Sequence, residues 1–231
     1  MVVGNFLNSA SRSATYLAGG ALVALTAKAL ILNRWPAPSA FLHDFGVLVE
    51  AILASVVASY VFYLFVVHLK EVSDRETVGP YIDRHTLRVV GDCESQLFAI
   101  GKVSGSPVAL ENISLKAVTE AFSNIPPYSN APLLLGPKTN KYANWFEYFE
   151  HHKQRTRESI ARVMAQLIYV DAKRVSLLAA VDDCSHFSMI QHFLHMPVSN
   201  PDMSAFANTF HDYCVFCLAL KQHMSEAQSA L

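Results

Sequence analysis

Charge is scarce at the front of this chain, cysteine is scarce throughout, and the short motifs of common catalytic chemistry are missing. Of the 18 Lys+Arg and 19 Asp+Glu, residues 1–69 hold only Arg12, Lys28, Arg34, Asp44 and Glu50. So little charge excludes an ordinary water-exposed domain there. Four cysteines (Cys93, Cys184, Cys214, Cys217) in 231 residues exclude a disulfide framework and fit a reducing compartment. The near-zero net charge of -1 excludes a strongly basic nucleic-acid binder. No G-x-x-x-x-G-K-[ST] phosphate loop, G-x-S-x-G elbow or H-E-x-x-H metal motif occurs. Strand-type alternation is absent too. The chain is expected to be all-α, with no enzymatic activity, no cofactor and no metal.

The front third is filled by two apolar runs. Residues 45–67, FGVLVEAILASVVASYVFYLFVV, are 23 positions with one charge. At 1.5 Å per residue such a run crosses a hydrocarbon core of about 30 Å with some tilt. Residues 13–32, SATYLAGGALVALTAKALIL, form a second run with one charge, and 12 residues join the two. The expected organisation is a transmembrane helical hairpin over 1–69, followed by a helical-bundle domain over 70–231 in the cytosol. Ala27-Lys28-Ala29 has the form of a signal-peptide cleavage site, but the apolar run continues past it and is long for such a leader. Arg12 before the first run and Lys70, Arg75, Arg84 and Arg88 after the second outnumber Arg34 between them. The positive-inside rule then puts both termini in the cytoplasm of a multi-pass membrane protein. Trp35 and Tyr16 stand where interfacial aromatics are expected.

Lys28 and Glu50 are ionisable groups inside these runs. In an antiparallel hairpin both lie about 7 Å below the same interface by helical rise. An interhelical ion pair is expected; the alternative is that each snorkels to the headgroups. Small residues recur at helical spacing: Ala10, Ala14 and Ala18, then Gly20 and Ala24, along the first helix, and Ala51, Ser55 and Ser59, and Ala54 and Ala58, in the second. Such stripes let helices approach closely. One stripe serves the hairpin, and the spare one predicts homo-oligomers.

Beyond Val67, Gly79-Pro80 reads as a break. A helix over 81–103 is predicted with Leu87, Val90, Leu97, Ile100 and Val103 inward, and another near 111–123. The proline-rich stretch 124–140 reads as a long loop with Leu133–Leu135 against the core. The strongest helical pattern covers 141–180, through Trp145, Tyr148, Phe149, Ile160, Val163, Leu167 and Val170. A short helix near 185–195 follows. Asn200-Pro201 reads as the cap of the last helix.

Cys214-Val-Phe-Cys217 lies in an apolar helical pattern without a second pair nearby, so core packing is expected rather than zinc. His186, His192 and His195 form a loose cluster in which a metal site is conceivable and partial burial is preferred. His211-Asp212 resembles the metal-binding pair of HD-type hydrolases, but no aspartate follows it, as that chemistry requires. Lys153, Arg155, Arg157 and Arg162 crowd ten residues. They are candidates for contact with anionic lipid or another partner, against the plainer reading of a solvated face in which Glu158 supports Arg162.

Two short spans and then a helical domain without catalytic motifs, carrying LLAAVDDCSHFSMIQHFL (177–194) and FANTFHDYCVFCLAL (206–220), resemble the two-transmembrane effector proteins of retron (reverse transcriptase) anti-phage defence systems. The resemblance covers the whole chain and implies the toxic arm of an abortive-infection system. Its partners would be a reverse transcriptase with its DNA–RNA hybrid, which hold it silent, and the inner-membrane lipids it disrupts once released. The alternative is a membrane-anchored helical signalling or scaffold protein that does no membrane damage.

Overall fold

A computed structural model describes residues 12–30, 40–136, 140–194 and 196–229. Ala10, Arg34, Trp35 and His195, and the last two residues of the first apolar run, lie outside them. The described residues are 80% helical, so the chain is mostly α. It divides into two compact units after Thr77.

The first unit contains α1 (Arg12–Leu30), α2 (Ala40–Phe62) and a π-helical turn at Tyr63–His68. Both helices are apolar on every side, and within them Ser13–Leu30 and His43–Val67 are long and apolar enough to cross a membrane. Thr15 meets Tyr60 near one end and Lys28 meets Gly46 and Glu50 near the other, so α1 and α2 run antiparallel.

The second unit begins inside α3 (Leu69–Ser104) and continues through α4 (Leu115–Ser123), a two-stranded ribbon of β1 (Leu134–Gly136) and β2 (Lys141–Tyr142), α5 (Trp145–Met164), α6 (Ala172–Asp182), α7 (Ser185–Phe193) and α8 (Ala207–Ser229). Helix α8 is its axis, with Phe210, Tyr213, Cys214, Cys217 and Leu220 sealed from solvent and α4, α6 and α7 packed on it. Aromatic rings fill the centre. Phe210 lies 5.2 Å from Phe122 and 5.6 Å from Phe149, and Trp145 and Phe146 are buried beside them. Helix α5 starts where it does because Asn144 and Glu147 close a capping box, each side chain accepting from the other's backbone N–H. Asp171 caps α6 and Ser114 caps α4 in the simpler way.

Five local expectations need correction. The helical pattern read over 141–180 is divided into α5 and α6 by a 3-10 turn at Leu167–Tyr169, where Leu167 is exposed. Gly79-Pro80 does not break the chain but lies inside α3; a glycine before proline has no Cβ to clash with the ring. Leu87 and Val103 are exposed while Val90, Leu97 and Ile100 are buried, because α3 turns a narrower apolar face inward than its apolar content implies. The loop after α4 contains the short ribbon, held by Ala143 and Leu133 backbone bonds and too brief to leave an alternating pattern. Asn200-Pro201 caps nothing: Met203 N–H donates to the carbonyls of Phe122 and Ile125, and this tether delays the last helix to Ala207.

Candidate functional site

The seam of the first unit is built from small residues and closed by charge. Ala18 and Ala21 of α1 are buried. Ala14, Leu17 and Ala18 face Ser55, Val56, Ser59 and Tyr60 across a shallow groove of about 360 Å³. Thr15 Oγ1 and Tyr60 Oη are 2.8 Å apart beside it. Toward the other end, Lys28 Nζ donates to Glu50 Oε2 at 2.6 Å and to the Gly46 carbonyl at 2.6 Å. At Gly46 an added Cβ would stand 3.8 Å from Lys28 Cε and Nζ, an ordinary contact, so the lysine packs closely over this turn of α2. The Lys28 side chain is 19% exposed, whereas that of Glu50 is 50% exposed. The ammonium is enclosed and the carboxylate opens outward.

Of the small residues singled out in the sequence, Ala14, Ala18, Ser55 and Ser59 lie on this groove. Gly20, Ala24, Ala51, Ala54 and Ala58 are exposed and do not line the groove. From Glu50, the residues Ala54 and Ala58 continue along α2 at steps of four, so the open carboxylate and two small exposed residues share one helix face.

The second unit separates residues that are adjacent in sequence. Lys153 is 2% exposed and holds Glu150 at 2.8 Å, so the expectation that it contacts lipid or a partner is corrected: its position on α5 points into the core. Arg157 is tied to Asp182 at 2.7 Å and lies 5.8 Å over the Phe187 ring. Arg155 reaches across to Asp92 of α3 at 3.2 Å while remaining 55% exposed, and Arg162 is exposed. The four cations therefore do not share one surface.

His186 is fully buried, with neither ring nitrogen hydrogen-bonded, among Phe149, Phe210 and Tyr213. Burial, then the nearby Lys153 ammonium, pushes its pKa down to about 3, so it is a neutral ring of the core. His192 is exposed, and the two are not brought together as ligands. Cys93 Sγ lies 3.6 Å from Cys214 Sγ, and all four cysteines are buried free thiols. Burial raises the thiol pKa at each, to about 11 at Cys184, which keeps them protonated and poor as metal ligands. Among the described residues no group of three or more His, Cys, Asp or Glu is placed to hold a metal ion.

One arrangement was not foreseen from the sequence. Arg84, Arg88, Gly91 and Ser95 repeat along one face of α3, and with Leu87, Asp92 and Arg155 they line an open cleft of about 350 Å³. Asp92 is only 4% exposed at its base, bonded to Arg155, with His152 Nδ1 3.5 Å from the same oxygen. The arginine spacing was visible in the sequence, but it served there only as evidence of orientation, and nothing local tied it to Arg155 some 70 residues later.

Comparison of the chain with protein-family models, curated proteins and solved structures finds no match.

Proposed function

We propose that this chain is a two-span inner-membrane protein with both termini in the cytoplasm, acting as the toxic effector of a bacterial antiviral defence system. The spans would form a hairpin in lipid and the domain from residue 70 onward would sit in the cytosol. On the resemblance described above, a reverse transcriptase with its DNA–RNA hybrid keeps the effector silent, and release leads to membrane disruption and abortive infection.

The observation that carries this reading is the lopsided Lys28–Glu50 pair. A simple anchor has no use for two charges within apolar helices, since each costs free energy in hydrocarbon. Here the ammonium is enclosed by its own hairpin while the carboxylate is half open beside Ala54 and Ala58. A second hairpin approaching that face meets small side chains and an acid able to take a new cationic partner. Hairpins joined in this way place polar groups along a shared interior, which is a route to a leak.

The test is induction of the full chain in bacterial cells, following membrane potential and entry of a normally excluded dye. Wild type is expected to depolarise cells and admit dye. Glu50→Gln, still found in the membrane fraction, is expected to slow dye entry at least tenfold. Growth arrest with potential and dye exclusion intact would remove the reading. The rival, an anchored signalling or scaffold protein, draws on the cleft between α3 and α5; there, replacing both spans by unrelated ones would leave the biological effect unchanged.

A further inference from the structure

The cleft of the second unit concentrates cations that the protein itself does not balance. Its walls carry Arg84 and Arg88 from α3 and Arg155 from α5, and its base carries Asp92. Arg155 is neutralised by Asp92, but neither Arg84 nor Arg88 is paired with an acid among the described residues. Three guanidiniums against one carboxylate leave two positive charges in a space of about 350 Å³, within a chain whose net charge is -1. Arg84 and Arg88 are also four apart on one helix, a spacing at which like charges repel. Their field is felt beneath the cleft, where His85 is held below its ordinary pKa by burial and then by Arg162, Arg88 and Arg84.

The shape fits an occupant. Gly91 stands between the arginines and Ser95, and a Cβ there would meet nothing within 4 Å, so the floor is backbone with free space above it. Leu87, 46% exposed, offers an apolar rim. Asp92 is too deep and too fully engaged to compete for the arginines at the walls, and acts instead to aim Arg155. Planar guanidinium forks match phosphate oxygens in pairs, better than they match a spherical anion.

We propose that Arg84, Arg88 and Arg155 form a binding site for a phosphate-bearing ligand. This site is independent of the membrane-effector reading and stands or falls separately from it. The ligand's phosphates come either from a soluble compound or from an anionic lipid headgroup.

Both sources are tested with one probe. Ser95 lines the cleft and is exposed, while the four native cysteines are buried, so S95C supplies one reactive thiol in the full chain. The rate of its labelling by a maleimide is measured in nanodiscs of phosphatidylcholine, with and without millimolar pyrophosphate, and in nanodiscs containing phosphatidylglycerol. Pyrophosphate is expected to slow labelling about tenfold if the ligand is soluble; phosphatidylglycerol alone is expected to do so if it is a headgroup. In either case R84Q/R88Q is expected to abolish protection, whereas K102Q/K116Q, which removes the same charge outside the cleft, is expected to keep it. Arg84 and Arg88 are exposed and glutamine is a good helix former, so the variant is expected to melt as the parent does. Labelling unaffected in both arms overturns the site. So does protection that survives R84Q/R88Q, or that is lost equally in the control pair.

Discussion

The most constrained residue in the second unit is His186. Its imidazole is enclosed by three aromatic rings and both nitrogens lack a partner, so the folded protein keeps it neutral down to a pKa of about 3. The unfolded chain binds a proton there near pH 6.5. Above that pH both states are neutral and nothing is lost. Below it only the unfolded state gains a proton, so stability falls toward a slope of about 1.4 kcal/mol per pH unit until the folded pKa is reached. His186→Leu is expected to make the melting temperature of the full chain in detergent less dependent on pH between 7 and 5. His85 and His151 are also lowered, chiefly by burial, so the dependence is expected to shrink rather than vanish. An unchanged slope would show that the ring is reached by water or proton. Nothing in the sequence marked His186 for this place: in the loose cluster with His192 and His195 it reads either as a candidate ligand or as a partly buried ring. Only the distant Phe149, Phe210 and Tyr213 decide between the two.

At the scale of elements, the helices were legible and their boundaries much less so. Apolar residues at three- and four-residue steps found the bodies of α3, α5 and α8, because each has one face against the core. Caps were harder. Asn200-Pro201 has the composition of a cap and is not one, whereas Asn144 with Glu147 is a full capping box that proline-rich surroundings concealed. A capping signal is a local preference of about 1 kcal/mol, and a tether such as Met203 on the carbonyls of Phe122 and Ile125 overrides it. Asn144→Ala removes one side of the box and leaves the Glu147 amide unpartnered at the head of α5. It is expected to cost about 1 kcal/mol, read as a lower unfolding midpoint, with pyrophosphate protection of the cleft unchanged. The ribbon β1–β2 was illegible for a different reason, since five residues are too few to show a period of two.

At the scale of the whole molecule, two different materials are joined in one chain, and this contrast was plain from the distribution of charge alone. The apolar runs predict the helices α1 and α2, and the charge-bearing remainder the second unit. The candidate sites divide in the same way. Lys28 and Glu50 stood out because an ion within an apolar run has few innocent explanations. The cleft did not, because arginines on a solvated helix are ordinary until a second helix brings another beside them.

The enclosed ammonium and open carboxylate carry a further implication for transport. On the proposed reading every copy would bring Lys28 and Glu50, 2.6 Å apart, to one level of the assembly, so a closed assembly of any size would balance the two signs there. A pathway lined by such an assembly lacks the single-signed ring that lets channels favour cations or anions. Currents through purified full-length protein in planar bilayers are therefore expected to reverse near zero under a potassium chloride gradient. A reversal potential close to the Nernst value of either ion would mean that the lysines and the glutamates do not line the path together.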